Sequence, residues 1–166
     1  MLTALTKAYQ YLIYLGGFLK SPLLLLCRLY WGVLFMGAGW GKLVEIDKFA
    51  DILHKLNFPY EHFFAYLAAG TEFIGGLCLI LGFASRLVAI PLIITMITAY
   101  ATAHVESLRT FFYNPSTFVS EAPFNFLLIC LFILAFGPGR FSLDYMIEKC
   151  LFNRAEGIPK HQHKPH

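Results

Sequence analysis

Four apolar runs, separated by shorter polar stretches, organise the chain. They cover residues 21–41, 62–83, 86–104 and 118–137. Each approaches the roughly 20 apolar residues that a helix needs to cross a bilayer. The first opens at Ser21-Pro22, and proline is tolerated in an opening helical turn. Only Gly82 to Ser85 separates the second run from the third, so the pair is expected to form an antiparallel hairpin. The fourth stops at Gly137-Pro138-Gly139. Ser120, Glu121, Pro123 and Asn125 make its first turns the weakest part of the pattern.

The flanking segments read differently. Residues 9–19 (YQYLIYLGGFL) are apolar and tyrosine-rich but too short to span. Lys7 precedes them as in a signal peptide, yet no A-x-A-like cleavage site follows. A short helix lying in the membrane interface is therefore expected. Residues 42–61 read as an outer loop of mixed charge, with LNFPYEHFF turning into the second span. Ser142 is placed to cap a short interfacial helix over 143–151. From residue 152 the chain is polar and ends in HQHKPH, which reads as a solvated tail rather than a metal site. The expected organisation is an N-terminal interfacial segment 1–20, an all-α membrane bundle of four helices over 21–151, and a polar tail 152–166.

Composition turns the run lengths into a membrane assignment. Hydrophobic residues make up 58% of the chain, charged residues 14%, and mean hydropathy is +0.62. A soluble domain carries about 25% charged residues because its surface faces water. The solvent here is expected to be lipid. A net charge of +3 gives no case for nucleic acid. Cys27, Cys78, Cys130 and Cys150 form no C-x-x-C pair and read as small hydrophobes. With four spans, Lys7, Lys20, Arg86, Arg140, Lys149, Arg154, Lys160 and Lys164 share one side, against Lys42, Lys48, Lys55 and Arg109 on the other. That asymmetry predicts both termini in the cytoplasm.

Against this background Glu72 stands out, a carboxylate near the middle of the second span. A lone charge at that depth costs at least a few kcal/mol. It shares a helical stripe with Ala65, Ala68, Ala69, Gly75 and Gly76. Small residues on one stripe let a second helix approach closely, so Glu72 is expected to face protein. Arg28, Gly32, Phe35, Gly39 and Lys42 share a face of the first span. Arg28 and Lys42 lie about 21 Å apart along it, so Glu72 can hardly engage both. Arg28 is the preferred partner, because a guanidinium fork matches a carboxylate. Such a pair either fixes helix register or lines a small-molecule pocket or proton path. Thr95, Thr98 and Thr102 are expected to bond back to helix carbonyls or across helices. His104 and Glu106, two residues apart, do not share a helix face, and no metal site is expected. Arg86 and Asp144 fall on the same predicted side and are candidates to pair there.

Taken together, these landmarks resemble the DoxX family. They are, in order, Arg28-Leu-Tyr-Trp-Gly-Val-Leu-Phe, Gly39-Trp-Gly-Lys42-Leu, Glu72-Phe-Ile-Gly-Gly76, Leu81-Gly82-Phe-Ala-Ser-Arg86 and Gly137-Pro-Gly-Arg-Phe-Ser-Leu-Asp144. The resemblance covers residues 22–146 and places family-motif positions at Arg28, Gly39, Lys42, Glu72, Gly76, Gly82, Arg86, Gly137, Gly139 and Asp144. It implies a four-helix protein of the bacterial inner membrane, similar to the DoxD-type subunit of thiosulfate:quinone oxidoreductase. It also implies a soluble or membrane redox partner and makes quinone a candidate ligand; it carries over no catalytic assignment. The resemblance thus implies a non-autonomous accessory subunit of a quinone-linked or thiol/oxidative-stress redox system, and no haem-ligand pattern or nucleotide loop is visible to suggest a self-sufficient enzyme. The alternatives are a small transporter or channel, which in a bundle this small would have to form a homo-oligomer, and a structural assembly factor.

Overall fold

The computed structural model describes residues 2–156. Among the described residues eight helices follow in order: α1 Leu2–Val44, α2 Ile46–Lys55, α3 Glu61–Leu81, α4 Ser85–Thr102, α5 Val105–Arg109, α6 Pro115–Ser120, α7 Ala122–Phe136 and α8 Leu143–Glu156. The architecture is a helical membrane bundle. α1, α3 and α4 are long and apolar enough to cross a bilayer, and α7 is a shorter apolar helix.

Side-chain size sets the closest approach. α1 and α3 run antiparallel, and small residues bring their backbones together. A Cβ added to Gly76 would lie 2.5 Å from the Met36 nitrogen and 2.6 Å from the Gly32 oxygen. One added to Gly39 would collide with the Phe73 backbone and lie 2.7 Å from the Ala69 oxygen. The register therefore sets Gly32 against Gly76 and Gly39 against Ala69 and Phe73. α3 packs its other side on α4, where Gly75 receives Leu92. Phe35, Leu79, Leu92, Met96, Ile129 and Ile133 form the apolar core where the four long helices meet.

The expected α3–α4 hairpin is present. Gly82 closes α3 in the left-handed region, at φ +68°, while Phe83 N–H donates to Cys78 O and Gly82 N–H to Leu79 O. These are the paired end bonds of a glycine-terminated helix.

Four features differ from the sequence expectation. Ser21 and Pro22 lie inside α1 rather than at its start, and the helix runs unbroken back to Leu2. Residues 42–61 are not simply a loop, because α2 forms within them. The fourth span does not run from 118 to 137: Glu121 adopts an extended conformation, at φ −68° and ψ 139°, and splits it into α6 and α7. The 15 residues of α7 reach about 22 Å, less than the roughly 30 Å of hydrocarbon in a bilayer. The break has a cause in side-chain bonding. Glu121 accepts a hydrogen bond from Ser107 at 3.0 Å and lies 3.0 Å from His104 Nδ1, while Pro123 has no N–H to continue a helical ladder. Finally, α8 extends to Glu156 rather than ending at 151; residues 157–166 of the expected tail lie outside the described residues.

A candidate ligand cavity and two polar centres

Glu72 is buried on α3, and its partner is Lys42. The Lys42 ammonium lies 2.5 Å and 2.6 Å from the two carboxylate oxygens. Arg28, the partner expected from the sequence, does not reach Glu72. The antiparallel register explains why. Gly39 sits against Ala69 and Phe73, so Glu72 is level with that turn of α1 and the side chain of Lys42, one turn further on, can reach it. Arg28 lies four turns back, about 21 Å along α1 from Lys42.

The buried polar groups thus form two centres rather than one. In the second, Arg28 is fully buried and grips carbonyl oxygens. Its guanidinium donates to Leu79 O at 2.9 Å, Ile80 O at 3.3 Å, Pro138 O at 2.6 Å and Phe141 O at 2.9 Å. Leu79 and Ile80 end α3, where the last carbonyls lack the i+4 donors of a continuing helix, and Leu79 O accepts from both Arg28 and the Gly82 N–H. Pro138 and Phe141 belong to the turn after α7. One side chain therefore satisfies a helix end and ties it to a distant turn. Gly82 makes room for it, since a Cβ there would fall on the guanidinium.

Asp144 completes this end of the bundle. It was a candidate partner for Arg86, but its two oxygens instead accept the N–H groups of Ala84 at 2.6 Å and Ser85 at 2.9 Å. In return Asp144 N–H donates to Gly82 O. The carboxylate caps the start of α4 from across the chain, a charge-assisted arrangement that also suits the helix dipole. Ser142 Oγ accepts the Tyr145 N–H and caps α8. Gly137 and Gly139 carry positive φ of +74° and +81°, which lets the chain reverse between α7 and α8.

The Lys42–Glu72 pair forms part of the wall of a cavity of about 460 Å³. Its other walls are mainly apolar: Phe35 from α1, Phe49 and Leu53 from α2, Phe64 and Ala68 from α3, Ala99 from α4 and Phe126 from α7. Lys42 Nζ also stands 5.2 Å from the centre of the Phe49 ring. Thr95, Thr98 and Thr102 line one side, with their hydroxyls donating to Pro91 O, Ile94 O and Thr98 O as the spacing suggests. His104 also lines the cavity, beside Glu121. The sequence reading missed the contribution of α2. Its signal was present in Ile46, Phe49, Ala50 and Leu53, an i, i+3, i+4, i+7 stripe hidden among charged neighbours.

The cavity volume falls in the ordinary range for small-molecule sites, about 300–1,000 Å³. The cysteines do not form a redox pair: all four thiols are free, and Cys130 is buried in the core.

The DoxX family pattern matches residues 23–105, from the start of the buried face of α1 through α4. The chain belongs to the DoxX family. An "Uncharacterized membrane protein Rv3486" of Mycobacterium tuberculosis is 29% identical over 140 residues, covering 77% of this chain and 83% of that protein. A Bacillus subtilis protein named "Putative oxidoreductase CatD" is 29% identical over 127 residues, covering 75% and 87%. The "Inner membrane protein YqjF" of Escherichia coli is 27% identical over 128 residues, covering 75% and 92%. No solved structure matches the chain.

Proposed function

We propose that this DoxX protein is a non-autonomous inner-membrane subunit of a redox system, and that its cavity holds the ring head of a quinone. The observation that carries the reading is the Lys42–Glu72 ion pair, with its buried carboxylate, in the wall of a mainly apolar cavity of about 460 Å³. A quinone carbonyl is a hydrogen-bond acceptor, and the Lys42 ammonium is the donor that faces the space. Glu72 fixes the direction of that donor with both oxygens. Phe49 and Phe126 add aromatic surface to the lining. Electrons would come from a partner redox protein, since the described residues contain neither a group of potential metal ligands nor a paired thiol. The oxidoreductase name of the Bacillus subtilis relative and the inner-membrane name of the Escherichia coli relative point the same way. The positive-side bias would place both termini, and the turns gripped by Arg28, in the cytoplasm.

Purification of the native protein in mild detergent, followed by mass spectrometry of extracted lipids and co-purifying proteins, tests this role. Wild type is expected to retain a quinone and a redox enzyme. Glu72→Gln is expected to lose roughly tenfold or more of the quinone, the cost of weakening one charged hydrogen bond. Folded protein that is equally free of quinone and partner in both samples would remove the support for a redox role.

A further inference from the structure

A second cavity, of about 760 Å³, opens at the end of the bundle where the α3–α4 and α7–α8 turns meet. Its chemistry differs from that of the first. Three cations line it, each from a different element: Lys20 on α1, Arg86 on α4 and Arg140 in the turn before α8. Among the described residues neither the Arg86 nor the Arg140 guanidinium has a hydrogen bond or ion pair. Asp144, the nearby carboxylate, is already committed to the Ala84 and Ser85 N–H groups. Glu148 is the other acid on the wall, so the cations outnumber the acids.

The turn also leaves room for Arg86. A Cβ at Gly137 would lie 3.1 Å from an Arg86 guanidinium nitrogen, so the absence of a side chain there lets the guanidinium lie against the backbone. Lys20 stands 5.5 Å from the centre of the Phe136 ring, a second contact that directs a cation toward the groove.

Alongside the cations the wall is apolar. Leu24, Leu87 and Phe136 continue from the groove, and Leu87 and Phe136 are 71% and 52% exposed on the surface of the bundle. Free phosphate would use the cations alone and leave this wall without a role. An amphiphile with an anionic head would use both.

We propose that this groove binds the headgroup phosphate of an anionic phospholipid through Lys20, Arg86 and Arg140, with the acyl chains running along Leu87 and Phe136. Such basic pockets at helix ends are suited to anionic lipid heads. The proposal does not rest on quinone binding, since the two cavities share no lining residue.

The test is thermal unfolding of the full chain in detergent during titration with phosphatidylglycerol, phosphatidylcholine or inorganic phosphate. Phosphatidylglycerol is expected to raise Tm saturably, while phosphatidylcholine and inorganic phosphate at equal concentration leave it unchanged. Each removed cation should weaken the apparent affinity about fivefold, and the double variant Arg86→Gln/Arg140→Gln about 25-fold. Arg140→Gln alone serves as a second variant should the double change impair folding, and Lys55→Gln, outside this groove on α2, should respond like wild type. Equal responses to phosphatidylglycerol and phosphatidylcholine would overturn the proposal, as would unchanged affinity in folded Arg140→Gln. An equal response to inorganic phosphate would overturn the lipid assignment in favour of a free anion.

Discussion

Gly76→Val is expected to prevent the α1–α3 crossing from forming and to leave little folded protein in detergent. The physical reason is the absence of any flexible neighbour. The first added carbon already lies 2.5 Å from the Met36 nitrogen and 2.6 Å from the Gly32 oxygen, both backbone atoms. Overpacking against side chains costs about 1–3 kcal/mol because rotamers can yield. Here the helices themselves must separate, so a loss of about 3 kcal/mol or more is expected, a large part of a typical domain's stability. Separation would also pull Lys42 away from Glu72, since the two helices carry the two charges. Gly70→Ala supplies the control on the same helix. Its added carbon meets nothing within 4 Å, and the change should be neutral or stabilising by about 1 kcal/mol. Thermal unfolding followed by circular dichroism distinguishes the two. Similar melting of Gly76→Val and wild type would mean that the helices do not cross at this point.

Arg28→Met should be comparably damaging, by a different route. The substitution keeps length and apolar packing but removes the donors to Leu79 O, Ile80 O, Pro138 O and Phe141 O. Leaving even two of these acceptors unpaired would cost about 2–6 kcal/mol. The effect should be concentrated at the turn after α7, which Arg28 holds against the end of α3. Limited proteolysis is therefore expected to cut residues 137–142 much faster in Arg28→Met than in wild type. Arg28→Lys should recover only part of the loss, because a single ammonium cannot reproduce a fork directed at four carbonyls. Unchanged cleavage in Arg28→Met would show that the turn is held by Asp144 and Ser142 alone.

The membrane character and the α3–α4 hairpin could be read from the chain because they depend on run length and on Gly82, both local features. The identity of Glu72 as a protein-facing carboxylate was legible for a similar reason, since its stripe of small residues has helical spacing. Its partner was harder to assign. Arg28 and Lys42 lie on one face of α1, and choosing between them requires the register of two helices. That register was latent in the sequence. Gly32 and Gly39 are seven apart, as are Ala69 and Gly76, and antiparallel alignment of those pairs puts Lys42 rather than Arg28 near Glu72. Arg28 was misread because its acceptors are backbone oxygens, which have no sequence signature. Asp144 escaped for the same reason, its partners being two N–H groups. The break at Glu121 depends on His104 and Ser107, contacts made only once α4 and α5 turn back toward α7.

The claim that matters most is that the cavity beside Lys42 and Glu72 takes a quinone. Trp31 is the internal reporter: its ring lies 5.3 Å from that of Phe126, which lines the cavity. Tryptophan fluorescence should be titrated with a short-chain quinone in wild type, Glu72→Gln and Lys42→Met, all of which retain Trp31 and Trp40. The account predicts saturable quenching in wild type and affinity weakened about tenfold or more in both variants. Quenching that is linear, or identical in all three folded proteins, would contradict it.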